Sequence, residues 1–420
     1  MSSEGRLVTL APPPPLAPLP AEHQKTPFGL LEWAMAGVIV QTLLFNPVIA
    51  ESGTLQVYMS TLTWPMAATA GVVRWSSGRD PELTTAGKSL MTATAAFLWL
   101  VLFWIGFGPA QPHSVGNLLR LLYVPIGMMA ALAVFRSSDR LLDIAVVALG
   151  LKGAILLAEL VQGPIDILHR LTVPELGGHN TFGAFVVFVV VLRGSTWALA
   201  SQRPHPAVMA SLVICLGCIL LTFSRAAFLA LVTGLAALTV CVLWRSGRAR
   251  QSRMAALLLL GAALSPLLVA GPLQDRLTQI GLARSSGRSD LWRPAWEGFV
   301  SQPLVGKGFG SFEAYSSAVV DLADPHRVGG VTYSAHNLVF QILYEGGLVG
   351  LALIGWAAWL VLRRCWHPVL APVTVAFLAD SLFETFPYVV QVSWVMGLVL
   401  AVGLSHRAAS EPVAATRDPG

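Results

Sequence analysis

The chain has 420 residues, of which 12% are charged and 55% hydrophobic, with a net charge of +5. A soluble domain carries about 25% charged residues, so this composition excludes an ordinary water-soluble fold and requires lipid to solvate much of the surface. The positive balance is no sign of nucleic acid, because no basic run is interleaved with stacking aromatics, and membrane proteins collect Lys and Arg in loops on one side.

Residues 1–27 contain the run Pro12 to Pro15 and no apolar core of a signal sequence. They read as a disordered tail rather than a cleavable leader. Apolar windows follow, each long enough to cross roughly 30 Å of hydrocarbon as a helix. Twelve are predicted, with cores Leu30–Ile49, Leu55–Val73, Leu90–Phe107, Leu118–Phe135, Leu141–Val161, Thr181–Ala200, Ala207–Phe223, Ala227–Trp244, Met254–Ala270, Asn337–Leu362, Val369–Phe383 and Val389–Leu404. The strict alternation of an outer-membrane barrel is absent. The fold class is therefore an all-α polytopic membrane protein. Its expected divisions are a tail at 1–27, nine helices over 28–270, an external loop at 271–335, three helices over 336–405, and a second tail at 406–420.

Basic residues in short loops orient such a chain. Arg74, Arg79 and Lys88 form one cluster, Arg136 and Arg140 a second, Arg245, Arg248, Arg250 and Arg253 a third, and Arg363 and Arg364 a fourth. With twelve helices all four fall on one side, together with both termini, and that side is expected to be cytoplasmic. The opposite side then carries Gly163–Asn180, the tight turn at Ser224-Arg225 and the long segment Gly271–Ala335.

Several external residues are candidates for chemistry. Arg225 breaks the positive-inside bias in a very short turn. It is either a snorkelling interfacial side chain or an anion clamp, since guanidinium pairs with phosphate oxygens bidentately. The long loop adds Arg276, Arg284, Arg288 and Arg293. Leu291, Trp292, Ala295, Trp296, Phe299 and Val300 share one face at helical spacing, which predicts an amphipathic helix lying on the membrane surface with Pro294 kinking or restarting it. The glycine-rich run Pro303–Phe312 lacks the ending of a nucleotide-binding loop and reads as a structural turn.

His336 and Asn337 stand where this loop meets a long apolar helix. An imidazole there can accept or orient a hydroxyl proton, and Asn337 could hold the ring or a sugar hydroxyl. His179 and Asn180, at another external helix end, could line the same cavity. Glu345, Lys152, Glu159, Asp380 and Glu384 are polar groups at membrane depth, for which helix-to-helix ion pairing is the plainer reading. Gly346-Gly347 reads as a site of close helix packing. Cys215 and Cys218 lie mid-helix among aliphatic residues and read as core. No Asp-x-Asp pair and no His/Cys cluster with zinc spacing occurs in the sequence, so no metal or other cofactor is expected.

In order, the Ser224-Arg225 turn after an apolar helix, Arg288-x-x-Leu-Trp, Pro303-Leu304-x-Gly-x-Gly-x-Gly-Ser-Phe, and Ala335-His336-Asn337 leading to Glu345-Gly346-Gly347 resemble the O-antigen ligase and O-antigen polymerase superfamily, over about 216–362. The sequence departs from the family pattern at Ala226, where a glycine is usual, and at Pro294. The resemblance implies a GT-C-like glycosyltransferase of the bacterial inner membrane, with its site on the periplasmic face. It implies en bloc transfer of a glycan from undecaprenyl diphosphate to a lipid A core or related glycolipid, inverting and metal-independent. A polymerase, with a second lipid-linked repeat as acceptor, is the alternative. Arg225, Arg288 and His336 would be the catalytic residues, with Asn337, Arg284, Arg293, His179 and Asn180 binding substrate. A flippase or transporter of lipid-linked glycans is a further alternative, although no inverted repeat is evident.

Overall fold

In the computed structural model, residues 28–44, 48–52, 55–107, 114–160, 171, 178–200, 205–245, 261, 288–312, 315, 334–385 and 390–410 are described. Among them the chain is overwhelmingly helical. The helices are α1 (Leu30–Leu44), α2 (Met59–Ser76), α3 (Pro81–Phe107), α4 (Ser114–Leu132), α5 (Ser138–Leu160), α6 (Gly178–Ala200), α7 (Pro206–Leu221), α8 (Arg225–Arg245), α9 (Arg288–Ser301), α10 (Leu338–Cys365), α11 (Ala371–Ser381) and α12 (Val390–Ser410). Eleven of the predicted segments overlap α1 to α8 and α10 to α12, although the first, Leu30–Ile49, is helical only to Leu44 and has Val48 and Ile49 in a strand; Met254–Ala270 lies outside the described residues apart from Gly261, which is helical. Windows within α3, α6, α8 and α10, and one running from Phe135 through α5, are long and apolar enough to cross a membrane.

The second segment begins differently from its prediction. Leu55–Tyr58 is a strand, β2, paired antiparallel with β1 (Val48–Ser52) in register Ser52↔Leu55 and Val48↔Tyr58. Helix α2 starts only after it, at Met59. Alternating and β-branched residues at Val48, Ile49 and Val57 suit a pleated ribbon as well as an apolar helix, and the backbone pairing decides the outcome.

Helix α6 is the hub: 89% of its apolar window is buried. It is flanked by α5, α7, α8 and α11. Helix α12 packs against α4, and α10 against α3.

One end of this bundle is tied together by charge. Arg74 lies 3.3 Å from Glu32 and 3.6 Å from Asp80, and Arg136 donates to Asp80 at 2.7 Å. His406 Nε2 is 3.3 Å from Asp139. Arg407 donates to the carbonyls of Arg363 and Arg364, the unsatisfied C-terminal groups of α10. Arg140 stands over the Phe28 ring. Three of the four basic clusters therefore meet at this end, beside the first and last described residues.

Candidate functional site

At the opposite end the polypeptide around His336 is pinned on both sides. The Ala335 N–H donates to Gln341 Oε1 at 2.8 Å, and the Ala335 carbonyl accepts from Trp292 Nε1 at 3.0 Å. Asn337 Oδ1 accepts from the Phe340 N–H at 3.0 Å, the N-cap bond of α10. Its Nδ2 donates to the Leu382 carbonyl at 2.9 Å. Both ends of the Asn337 amide are thus used within the protein, so its role here is to start α10 and tie it to the end of α11.

His336 has φ +46. Left-handed backbone is uncommon for a non-glycine residue and persists where surrounding contacts over-determine it. Among the described residues the other non-glycine case is Phe223, at φ +49, in the turn that leads to Arg225. In that turn Ser224 Oγ accepts from the Ala227 N–H at 3.3 Å and caps α8. Thr222 Oγ1 accepts from the Ser224 N–H at 3.3 Å. Arg225 is the first residue of α8.

His336 Nδ1 lies 3.1 Å from Glu384 Oε2. The other oxygen, Glu384 Oε1, accepts from Asn180 Nδ2 at 2.8 Å. The Glu384 side chain is 9% exposed and that of His336 28%, so a sheltered carboxylate backs a partly open ring. A carboxylate facing Nδ1 selects the tautomer protonated there and leaves Nε2 as the basic atom. This makes a partner of Glu384, for which the sequence favoured helix-to-helix ion pairing. Asn180 holds the carboxylate from the first turn of α6.

The Arg225 turn belongs to the same end. Gly183, one turn past Asn180, lies so close to the turn that a Cβ on it would meet Ala227 Cβ at 2.9 Å and Thr222 Oγ1 at 3.1 Å. The N-termini of α6, α8 and α10 therefore converge, and their orphan N–H groups and aligned dipoles favour an anion there.

Helix α9 brings a fourth N-terminus. It packs along the first half of α10. Ala295 is buried with Phe312, Ala335 and Tyr344, and Trp292 and Trp296 contact the Phe340 ring. The helix runs unbroken through Pro294. Its first residue is Arg288, one turn before the Trp292 that bonds Ala335, so the backbone brings Arg288 to the His336 end; its side chain lies outside the described residues. Arg293 is strongly exposed and bonds Glu297 at 2.9 Å across one helical turn. His179 lies in the first turn of α6, with its side chain outside the described residues, and Arg284 lies wholly outside them.

The run after α9 has a defined task. Helix α10 breaks at Gly347, where φ is +58 and ψ −159, which frees backbone groups on both sides. The Lys307 and Gly308 N–H groups donate to the carbonyls of Tyr344 and Glu345 at 2.7 and 3.0 Å. The Leu348 and Val349 N–H groups donate to the carbonyls of Pro303 and Leu304 at 2.9 and 3.0 Å. Gly306, at φ +68, passes so close that a Cβ on it would stand 2.5 Å from the Glu345 carbonyl carbon. The glycine pair on α10 is thus the seat of a backbone splice with the 303–308 turn, where the sequence suggested close packing of helices. Beneath His336, Gln341 Nε2 donates to Glu345 Oε1 at 2.7 Å, so Gln341 links Glu345 to the Ala335 backbone.

Residues 210–355 match the family model described as O-antigen ligase. The matched segment contains the Arg225 turn, α9, the splice and His336-Asn337; Asn180 and Glu384 lie outside it. No curated protein matches the chain.

Proposed function

We propose, from the match of residues 210–355 to the family model described as O-antigen ligase, that this protein is a membrane glycosyltransferase that moves a glycan from a lipid diphosphate, undecaprenyl diphosphate, to a hydroxyl of a glycolipid acceptor of the lipid A core type. The reaction takes place at the His336 end of the bundle, on the periplasmic face of the inner membrane. The observation that carries this reading is the chain of contacts from Asn180 to Glu384 to His336 Nδ1, beside the capped turn that presents Arg225.

His336 Nε2 receives or orients the acceptor O–H while Glu384 stabilises the proton-bearing ring. The acceptor oxygen attacks the anomeric carbon from the face opposite the leaving group. The bond from that carbon to the diphosphate oxygen breaks, its electron pair stays on the diphosphate, and the configuration inverts. Arg225 and Arg288 grip that diphosphate, assisted by the four converging helix N-termini, and neutralise charge as it develops. The leaving group is already activated as a diphosphate ester, so no nucleotide needs to be consumed.

A ligase and a polymerase of this superfamily share all of these steps and differ in the acceptor that approaches Nε2. The match supports the superfamily that both belong to, and the ligase is the reading put to the test. The test is a reconstituted assay with a purified lipid-diphosphate glycan and either a core glycolipid or a second lipid-linked repeat as acceptor. Product on the core glycolipid alone supports the ligase, and product only on the lipid-linked repeat overturns it in favour of the polymerase.

A further inference from the structure

We infer that α9 and the turn that follows it form a re-entrant element whose tip, around Leu304, is immersed in the hydrocarbon of the outer leaflet, and that its partner surface is bilayer lipid. The inference is independent of the reaction proposed above.

Tryptophans mark depth along α10. Trp356 and Trp359 are exposed near the Arg363 end of that helix, and Arg363 stacks over the Trp359 ring at 4.4 Å. Exposed tryptophans beside arginines mark a membrane interface. At the other end, half-exposed Trp296 of α9 sits at the level of Phe340, with which its ring makes contact. Counted along α10 through its break at Gly347, the helical rise puts Trp359 and Phe340 at most about 28 Å apart, close to the thickness of a bilayer core of about 30 Å. Two aromatic belts therefore bracket one hydrocarbon slab, with Trp296 in the outer belt.

Helix α9 then descends parallel to α10. Trp292 bonds at Ala335, Gly298 packs on Tyr344, and Pro303 and Leu304 bond to Leu348 and Val349. The tip thus lies about 12 Å along α10 from the Phe340 level at helical rise. Its exposed surface is mainly apolar, with Ser301 and Gln302 exposed beside the apolar residues. Val300 is 57% exposed and Leu304 65%, and Val305, Leu348 and Val349 are exposed around them. The charged pair Arg293 and Glu297 stays at or above the Trp296 belt.

Irregular backbone at that depth is tolerated only when its polar groups are satisfied within the protein. The splice between the turn and the break at Gly347 does this, pairing four N–H groups with four carbonyls.

The test uses the full chain in lipid vesicles. Cysteine is introduced separately at Glu297, Val300 and Leu304, labelled with bimane in detergent, and reconstituted. Background from Cys215, Cys218, Cys241 and Cys365 is read from the parent chain treated identically. Quenching by aqueous iodide is compared with quenching by lipids carrying a nitroxide on the acyl chain. Bimane at 300 and 304 is expected to be quenched several-fold more by the acyl-chain nitroxide than by iodide, and bimane at 297 in the reverse order. All three sites are exposed on the surface, so the substitutions leave the fold intact, which size-exclusion profiles verify. Iodide quenching at 304 equal to that at 297 would overturn the inference.

Discussion

The Nδ1 atom of His336 faces a carboxylate that is itself held by an amide, and this determines what each substitution should do. His336→Ala removes the proposed proton acceptor, and transfer in vesicles should fall by about 10²–10⁴-fold, the usual contribution of general base catalysis. Glu384→Gln keeps a side chain of the same size but can present its amide N–H to Nδ1, favouring the wrong tautomer. Transfer should fall by about 10²-fold or more while thermal stability changes little, and unaltered turnover would remove Glu384 from the site. Asn337→Ala is a different case, because both of its bonds are structural. Loss of such a cap costs about 1 kcal/mol, so the expected outcome is a lowered unfolding temperature in fluorescence-detected thermal melts. His336 was legible in the sequence because an imidazole at the mouth of a membrane helix has few plain explanations. Glu384 was visible only as a carboxylate at membrane depth. Its partner lies 48 residues away, and no local spacing encodes that contact.

At the level of elements, helices were read well because lipid leaves an apolar chain no other way to satisfy its backbone. The same rule also explains two failures. Periodicity placed an apolar stripe on α9 correctly but could not say whether it faced lipid or another helix; part of it covers α10 and part stays exposed. Gly346-Gly347 looked like a packing surface because a helix break is affordable only where a second segment supplies the missing partners, and that segment is 40 residues earlier in the chain. The splice makes a firm prediction. Gly347→Ala forces a left-handed backbone on a residue with a Cβ, and Gly306→Ala adds a Cβ against the Glu345 carbonyl carbon. Each should destabilise by more than about 1 kcal/mol. In melts of the purified protein both should unfold at lower temperature than Gly37→Ala, since a Cβ on Gly37 would meet nothing within 4 Å.

Across the whole molecule the polar groups divide between two ends, and the division was partly legible from charge alone. Three of the four basic loops predicted to share a side do meet, but through acidic partners that the positive-inside argument ignores, such as Asp80 between Arg74 and Arg136. Arg136 is well exposed, so Arg136→Ala should change stability by less than about 1 kcal/mol. Arg193 is buried against Asp143, with Nε and Oδ1 2.6 Å apart. Arg193→Ala strands that carboxylate and should be destabilising by about 3 kcal/mol, read as a much larger drop in melting temperature than for Arg136→Ala. The charge-tied end anchors the helices, and the opposite end gathers their N-termini around His336 and Arg225. Whether that second end is a transfer site is tested most directly by one assay: purified protein in vesicles, lipid-diphosphate-linked glycan as donor, glycolipid as acceptor, with His336→Ala and Arg225→Ala measured beside the parent. Both variants should remain folded in the membrane and lose transfer, and full transfer by both would contradict the account.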